Sequence, residues 1–179
     1  RKMGAALLLD YQSQFNFGSR TGIDLPNESS GAIYTLDQMK DMELASTTFG
    51  QGFTSTMIQE ISAVSAVING GTYYQPHVVK EIKSQEDGSV LKTNEGNVLK
   101  QIVSSDVSEK IREYMGMSVT SGTSRKSKVQ GYSMGGKTGT AEILSTEEKD
   151  YLVSFIGFAP LDTPQVVVYV VVDRPNVEE

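Results

Sequence analysis

The chain has 179 residues, with 16 Lys+Arg against 22 Asp+Glu for a formal net charge of −6, one His and no Cys. That inventory excludes a disulfide framework and a Cys/His zinc site, leaves His77 as the single histidine for His-based chemistry, and argues against a nucleic-acid partner, which calls for a basic face. At 38% hydrophobic and 21% charged residues, the composition and length suit a globular domain with a core.

In residues 3–15, Leu7, Leu8, Tyr11 and Phe15 recur at helical spacing, and Asn16-Phe17-Gly18 ends the helix. Residues 21–31 are dense in Gly, Pro, Asn and Ser and read as a connector with Ile23 and Leu25 turned inward. A short helix is expected within residues 36–48, broken by Phe49-Gly50-Gln51-Gly52-Phe53, a bend that presents or buries Gln51. Thr56-Met57-Ile58-Gln59 is a capping-box pattern opening a core helix with Met57, Ile61, Val64 and Ile68 as its stripe, and Gly70-Gly71 stops it. Short β runs occupy residues 73–99, where 78–83 and 89–92 flank the hairpin signal Asp87-Gly88. A further helix begins near Ser104 or Ser105, with Val107, Ile111, Tyr114 and Met115 on one face. Residues 121–128 follow as a polar, basic loop or helix start whose charges read as a solvated face.

Three strands are predicted at residues 134–143, 152–159 and 166–173, separated by a charged loop at 145–150 and a turn at 160–165. The second connection is too short for a parallel crossover, so the pairing is antiparallel. The unbroken valines of 166–172, with Tyr169 among them, predict a central strand buried on both faces, with helices above and below. No stretch reaches the ~18 apolar residues of a membrane span.

Lys137-Thr138-Gly139-Thr140, preceded by Gly135-Gly136, carries the most chemistry. On a strand Lys137 and Gly139 share one face while Thr138 and Thr140 share the other. Gly139 lets a ligand backbone approach closely. A lysine, a hydroxyl and edge N–H groups together can read an extended peptide ending in a carboxylate. The bland alternative is a Gly-containing edge strand with a solvated lysine.

Context favours the first reading. Lys-Thr-Gly is one signature of the penicillin-interacting serine enzymes, alongside Ser-x-x-Lys and Ser-x-Asn. Phe17-Gly18, Thr21-Gly22-Ile23-Asp24-Leu25-Pro26, Phe49-Gly50-Gln51-Gly52, Asn69-Gly70-Gly71, Gly135-Gly136-Lys137-Thr138-Gly139-Thr140-Ala141 and Ser154-Phe155-Ile156-Gly157-Phe158-Ala159-Pro160 resemble, in that order, the C-terminal half of the transpeptidase domain of class B penicillin-binding proteins. The resemblance implies an α/β fold, an antiparallel sheet covered by helices on both faces, of which residues 1–179 form the C-terminal portion. It implies a peptidoglycan D,D-transpeptidase working through a serine acyl-enzyme, without metal or cofactor. The partners implied are stem peptides ending in D-Ala-D-Ala, β-lactams, the N-terminal part of the same protein and other cell-wall synthesis proteins. The location implied is the extracytoplasmic face of a bacterial membrane, with the anchor outside these residues.

By motif position, Lys137 would supply positive potential at the donor carboxylate and Thr138 would hydrogen-bond it. Gly139 would admit the substrate backbone, and Thr140 would lend its backbone N–H to the oxyanion hole. Glu142 stands where many relatives carry Gln. Neither Ser-x-Asn nor Tyr-x-Asn occurs, and the one Ser-x-x-Lys, Ser89-Val90-Leu91-Lys92, follows an Asp-Gly turn and alternates like a hairpin strand. The nucleophile is therefore expected upstream of Arg1, and these residues alone are expected to be inactive. The alternatives are a D,D-carboxypeptidase or β-lactamase-type hydrolase, and a non-catalytic peptide-binding scaffold. A Ser-His-Asp hydrolase using His77 is disfavoured because no Gly-x-Ser-x-Gly elbow occurs and Pro76-His77-Val78 reads as a strand start.

Overall fold

The computed structural model describes residues 2–143 and 150–176. In chain order these form α1 (Gly4–Gln14), α2 (Asp41–Thr47), α3 (Met57–Ile68), β1 (Thr72–Gln75), β2 (Glu81–Lys83), β3 (Val90–Thr93), β4 (Asn97–Gln101), α4 (Ser105–Thr120), a 3-10 turn (Arg125–Ser127), β5 (Gly135–Ile143), β6 (Asp150–Ala159) and β7 (Val166–Asp173). The fold class is the expected one, mixed α/β with antiparallel sheets. Two compact units are present, Arg1–Ala66 with Thr72–Ile102, and Val67–Gly71 with Val103–Glu179.

In the first unit the capping box forms as read: the Thr56 N–H donates to Gln59 Oε1 at 2.8 Å, and the Gln59 N–H to Thr56 Oγ1 at 3.2 Å. The Gln59 amide nitrogen then donates to the carbonyls of Asn16, Ser19 and Ser30 at 2.9, 2.7 and 2.8 Å. This side chain is fully buried. The buried residues of α3 are Gln59, Ser62, Ala63, Ala66 and, from the expected stripe, Ile68, whereas Met57 is 52% exposed and Ile61 and Val64 only half-buried. The expected apolar stripe is thus kept at Ile68 and displaced over the first two turns by small and polar residues that let backbone reach the Gln59 amide. Ahead of it, α1 ends where predicted, with Asn16 and Gly18 at φ 62° and 77°.

Two carboxylates hold the connector at 21–31. Glu28 accepts from the Thr21 N–H and hydroxyl at 2.6 and 2.5 Å and from the Gly22 N–H at 3.0 Å. Asp24 accepts from the N–H groups of Val78 and Val79 at 2.8 and 2.9 Å. Ile23 is half-buried, but Leu25 is 51% exposed, so the connector is fixed by charge-assisted hydrogen bonds instead of the expected apolar pair. The grip of Asp24 also explains why strand pairing with β3 begins at Glu81 and not at residue 78. The Asp-Gly hairpin otherwise forms as read, with Asp87 accepting from the Ser89 N–H and hydroxyl. The helix expected within 36–48 is confined to α2, and Gln51 in the following bend is half-buried.

In the second unit Ser104 caps α4, accepting from the Val107 N–H at 3.3 Å. The helix buries Ser108, Gly116 and Val119, while Val107 and Tyr114 of the predicted face are exposed. Ser108 is held by polar partners, since its hydroxyl accepts from the Gly70 N–H at 2.9 Å and from Arg112 at 3.1 Å. Gly116 meets Leu161 so closely that a Cβ would lie 2.8 Å from its Cδ2.

All three C-terminal strands form in the order β5-β6-β7, with both pairings antiparallel. Among the described residues β7 departs from the expectation: β6 is the middle strand, and Val166, Val168, Val170 and Val172 of β7 are 46–58% exposed while Val167, Tyr169 and Val171 are half-buried. An unbroken valine run specifies extended backbone but cannot say which face a neighbour covers. The loop expected at 145–150 lies outside the described residues except for Asp150, which opens β6.

Gln59→Leu should lower unfolding free energy by about 3 kcal/mol, because three carbonyls around a fully buried amide lose their donor; a urea midpoint corresponding to less than 1 kcal/mol would contradict this role. For Glu28, burial raises the carboxyl pKa, but the Thr21 hydroxyl and N–H, the Gly22 N–H and Arg20 outweigh it and hold the pKa below the ordinary 4.5. A depressed folded-state pKa stabilises above the unfolded value and the effect is lost as pH falls through the folded one. Glu28→Gln should therefore melt below wild type at pH 7, and the gap should close as the pH drops below 4.5.

Candidate functional site at the edge of β5

Lys137, Thr138, Gly139 and Thr140 lie consecutively in β5, opposite Ile156, Phe155, Ser154 and Val153 of β6. Among the described residues β5 has no strand on its other side. Lys137, Gly139 and Thr140 are exposed and Thr138 is half-buried. The Thr138 N–H points away from β6 and donates to Ser124 Oγ at 3.2 Å. The Lys137 ammonium reaches the same edge and donates to the Thr138 carbonyl at 2.7 Å. Because backbone groups alternate in direction along a strand, the N–H and C=O of Thr140 face that outer edge too.

Glycines shape both faces at this position. A Cβ on Gly139 would stand 2.6 Å from Ser154 Oγ. A Cβ on Gly136 would stand 2.5 Å from Phe155 Cζ and 2.9 Å from the Ile156 carbonyl oxygen, so the Phe155 ring takes the room that glycine leaves. Gly135 makes the same allowance for Phe158, with a Cβ distance of 2.5 Å to its Cζ.

The 121–128 segment is only partly the solvated face expected. Arg125, Lys126 and Lys128 are exposed, but Ser124 is 1% exposed. The chain doubles back at the end of α4, with the Ser124 N–H donating to the Ser118 carbonyl at 3.1 Å and the Ser118 hydroxyl donating to Ser124 Oγ at 2.9 Å. Ser124 was not separable by sequence reasoning from the polar residues around it.

The other candidates are not assembled into a site. Ser89 donates to Asp87 Oδ1 at 2.7 Å in the exposed hairpin, ahead of β3, which carries Lys92. His77 lies in the connector between β1 and β2 and does not open a strand; its Nδ1 is 3.5 Å from the Gln75 carbonyl. It lines a cleft of ≈ 380 Å³ with Asp24, Gln75 and Lys80, without a serine in the lining. Glu142 is exposed, opposite Tyr151. Among the described residues no group of His, Asp or Glu could hold a metal ion, and no helix is long and apolar enough to cross a membrane.

The family model for the penicillin binding protein transpeptidase domain matches residues 1–179. Stage V sporulation protein D of Bacillus subtilis is 42% identical over 178 residues, which cover 98% of this chain and 28% of that protein. The peptidoglycan D,D-transpeptidase MrdA of Acinetobacter baumannii is 31% identical, again covering 95% of this chain and 28% of the relative. The chain thus spans less than a third of the length of these relatives. Among solved structures, penicillin binding protein 3 from Mycobacterium tuberculosis in its apo form is similar with a TM-score of 0.86 and 29% identity, covering 96% of this chain and 41% of that one. The same protein has been crystallised in complex with aztreonam and with ampicillin.

Gly136→Ala should destabilise the second unit by about 1–3 kcal/mol, because the methyl meets both an aromatic ring and the β6 backbone; unchanged thermal unfolding would show that Phe155 can swing aside.

Proposed function

Because the chain belongs to the penicillin-binding protein transpeptidase family, we propose that residues 1–179 form the C-terminal portion of one peptidoglycan D,D-transpeptidase domain, in which β5 is the wall that receives the donor stem peptide. The observation that carries this reading is the open edge of β5, where an ammonium, a hydroxyl and outward backbone groups stand in register beside a glycine.

The donor, a stem peptide ending in D-Ala-D-Ala, adds to this edge as an extended strand. Its terminal carboxylate meets the Lys137 ammonium, which uses one of its three donors on the Thr138 carbonyl, and the Thr138 hydroxyl. A charge pair at ~4 Å with an effective dielectric of ~20 interacts by ~4 kcal/mol before desolvation is subtracted, enough to orient the donor. Gly139 leaves the approach to the strand open. The Thr140 N–H is directed at the carbonyl oxygen under attack and stabilises the oxyanion of the tetrahedral intermediate.

The serine nucleophile and its lysine, with the Ser-x-Asn segment, are supplied by the same protein outside these residues. Attack on the penultimate D-Ala carbonyl releases D-Ala, and the amine of a second stem resolves the acyl-enzyme into the cross-link. A β-lactam, with a carboxylate beside a reactive carbonyl, enters by the same contacts. The protein works on the extracytoplasmic face of a bacterial membrane, with its anchor also outside these residues.

A fluorescent penicillin should acylate the full-length protein, acylate its Lys137→Ala variant at least tenfold more slowly, and leave the isolated 179-residue polypeptide unlabelled. Equal labelling of variant and wild type would remove β5 from the site, and stoichiometric labelling of the polypeptide would place a nucleophile within it.

A further inference from the structure

Along the outer edge of β5, the backbone groups available to an added strand belong to alternate residues, and Thr138 and Thr140 are consecutive members of that series. The protein itself occupies both groups of Thr138. Its N–H is taken by Ser124 Oγ at 3.2 Å and its carbonyl by the Lys137 ammonium at 2.7 Å. A peptide pairing with β5 can therefore use Thr140 but finds no partner one step further, at Thr138. The acceptor that closes this position is not a mobile surface group: Ser124 is 1% exposed, and its hydroxyl oxygen also receives the Ser118 hydroxyl at 2.9 Å. The loop carrying it is folded back on α4, with the Gly122 N–H donating to the Met117 and Ser118 carbonyls and the Ser124 N–H to the Ser118 carbonyl.

We propose that Ser124 is a positioning and specificity residue that ends the substrate-binding edge of β5. By capping the Thr138 N–H it stops an added strand there, so that the edge takes the carboxylate terminus of an extended peptide and rejects a chain that continues. Lys137 and the Thr138 hydroxyl stand at this stop, where a chain end places its charge; a continuing peptide would bring a neutral amide and further residues toward the Ser124 loop. This inference rests on the reading of β5 as the donor wall, and it assigns to Ser124 the discrimination between a chain end and a chain interior.

The test uses the full-length protein and a pair of donor peptides identical except that one ends in a free carboxylate and the other in a carboxamide, with acyl-enzyme formation followed by mass spectrometry. Wild type should favour the carboxylate. Ser124→Ala, which frees the Thr138 N–H for a continuing chain, should narrow that preference about five- to tenfold, mainly by improving apparent binding of the carboxamide donor, and Ser124→Thr, which keeps the hydroxyl, should restore it. A purely structural role would slow both donors alike and leave their ratio unchanged. Should Ser124→Ala fail to fold, Ser124→Cys, of similar volume but a weak acceptor, decides on the same ratio. An unchanged ratio in the Ala or Cys variant, while Lys137→Ala still loses acylation, overturns the role of Ser124 alone. If Lys137→Ala also leaves both donors unaffected, β5 is not the donor wall and the proposed function fails with it.

Discussion

An exposed strand edge presents unsatisfied N–H and C=O groups, and everything in the second unit follows from keeping the edge of β5 ordered while leaving part of it open. The solution is local. One buried hydroxyl, Ser124 Oγ, joins the turn after α4 to the Thr138 N–H, and Ser118 on α4 holds that hydroxyl in place. The lysine ammonium then satisfies the adjoining carbonyl without any second strand. Helix, turn and edge strand are thereby fixed to one another through two serine side chains of two heavy atoms each, which have few rotamers to lose on ordering. Glycine at 135, 136 and 139 completes the arrangement, because Phe158, Phe155 and Ser154 occupy the space a side chain would need.

The first unit is organised by an equally compact polar device. A fully buried glutamine would be costly if left unpaired, yet Gln59 is matched at both ends of its amide, to Thr56 on one side and three carbonyls on the other. It brings together stretches 29 to 43 residues apart in the chain, which apolar contacts among Ala63 and Ala66 would specify less sharply. The landmarks at 21–28 belong to the same logic. Asp24 and Glu28 both accept from backbone N–H groups and so hold the connector in place.

This division explains what could be read from the residues alone. The capping box at Thr56, the Asp-Gly hairpin, the serine cap of α4 and the three C-terminal strands are all short-range codes, in which a few adjacent residues determine the local hydrogen bonds. The Lys137-Thr138-Gly139-Thr140 string was legible for the same reason, since alternation along a strand fixes which groups share a face. What stayed hidden depends on partners distant in sequence. Nothing around Ser124 signals that its hydroxyl will meet a backbone N–H 14 residues later, and nothing around Gln59 signals carbonyls up to 43 residues earlier. The buried faces of α3 and α4 were misread because periodic large apolar residues attract attention, whereas serine, alanine and glycine mark where backbone comes close. In β7 the unbroken valines specify the strand itself, but among the described residues only alternate positions are half-buried, because the neighbours that cover a strand face lie elsewhere in the chain.

The net charge of −6 acquires a different meaning once these positions are known. An acidic chain would seem ill suited to receive a carboxylate, but at physiological ionic strength exposed charges beyond a Debye length of about 8 Å are largely screened, so the local pattern decides. Around the edge of β5 that pattern is basic: Arg125 and Lys126 directly follow the residue bound to Thr138, and Lys137 directly precedes Thr138. Glu28 and Asp24, by contrast, are engaged by N–H donors within their own unit. Net charge therefore does not describe the edge of β5, where the local arrangement of a few cations beside one capped strand sets the potential.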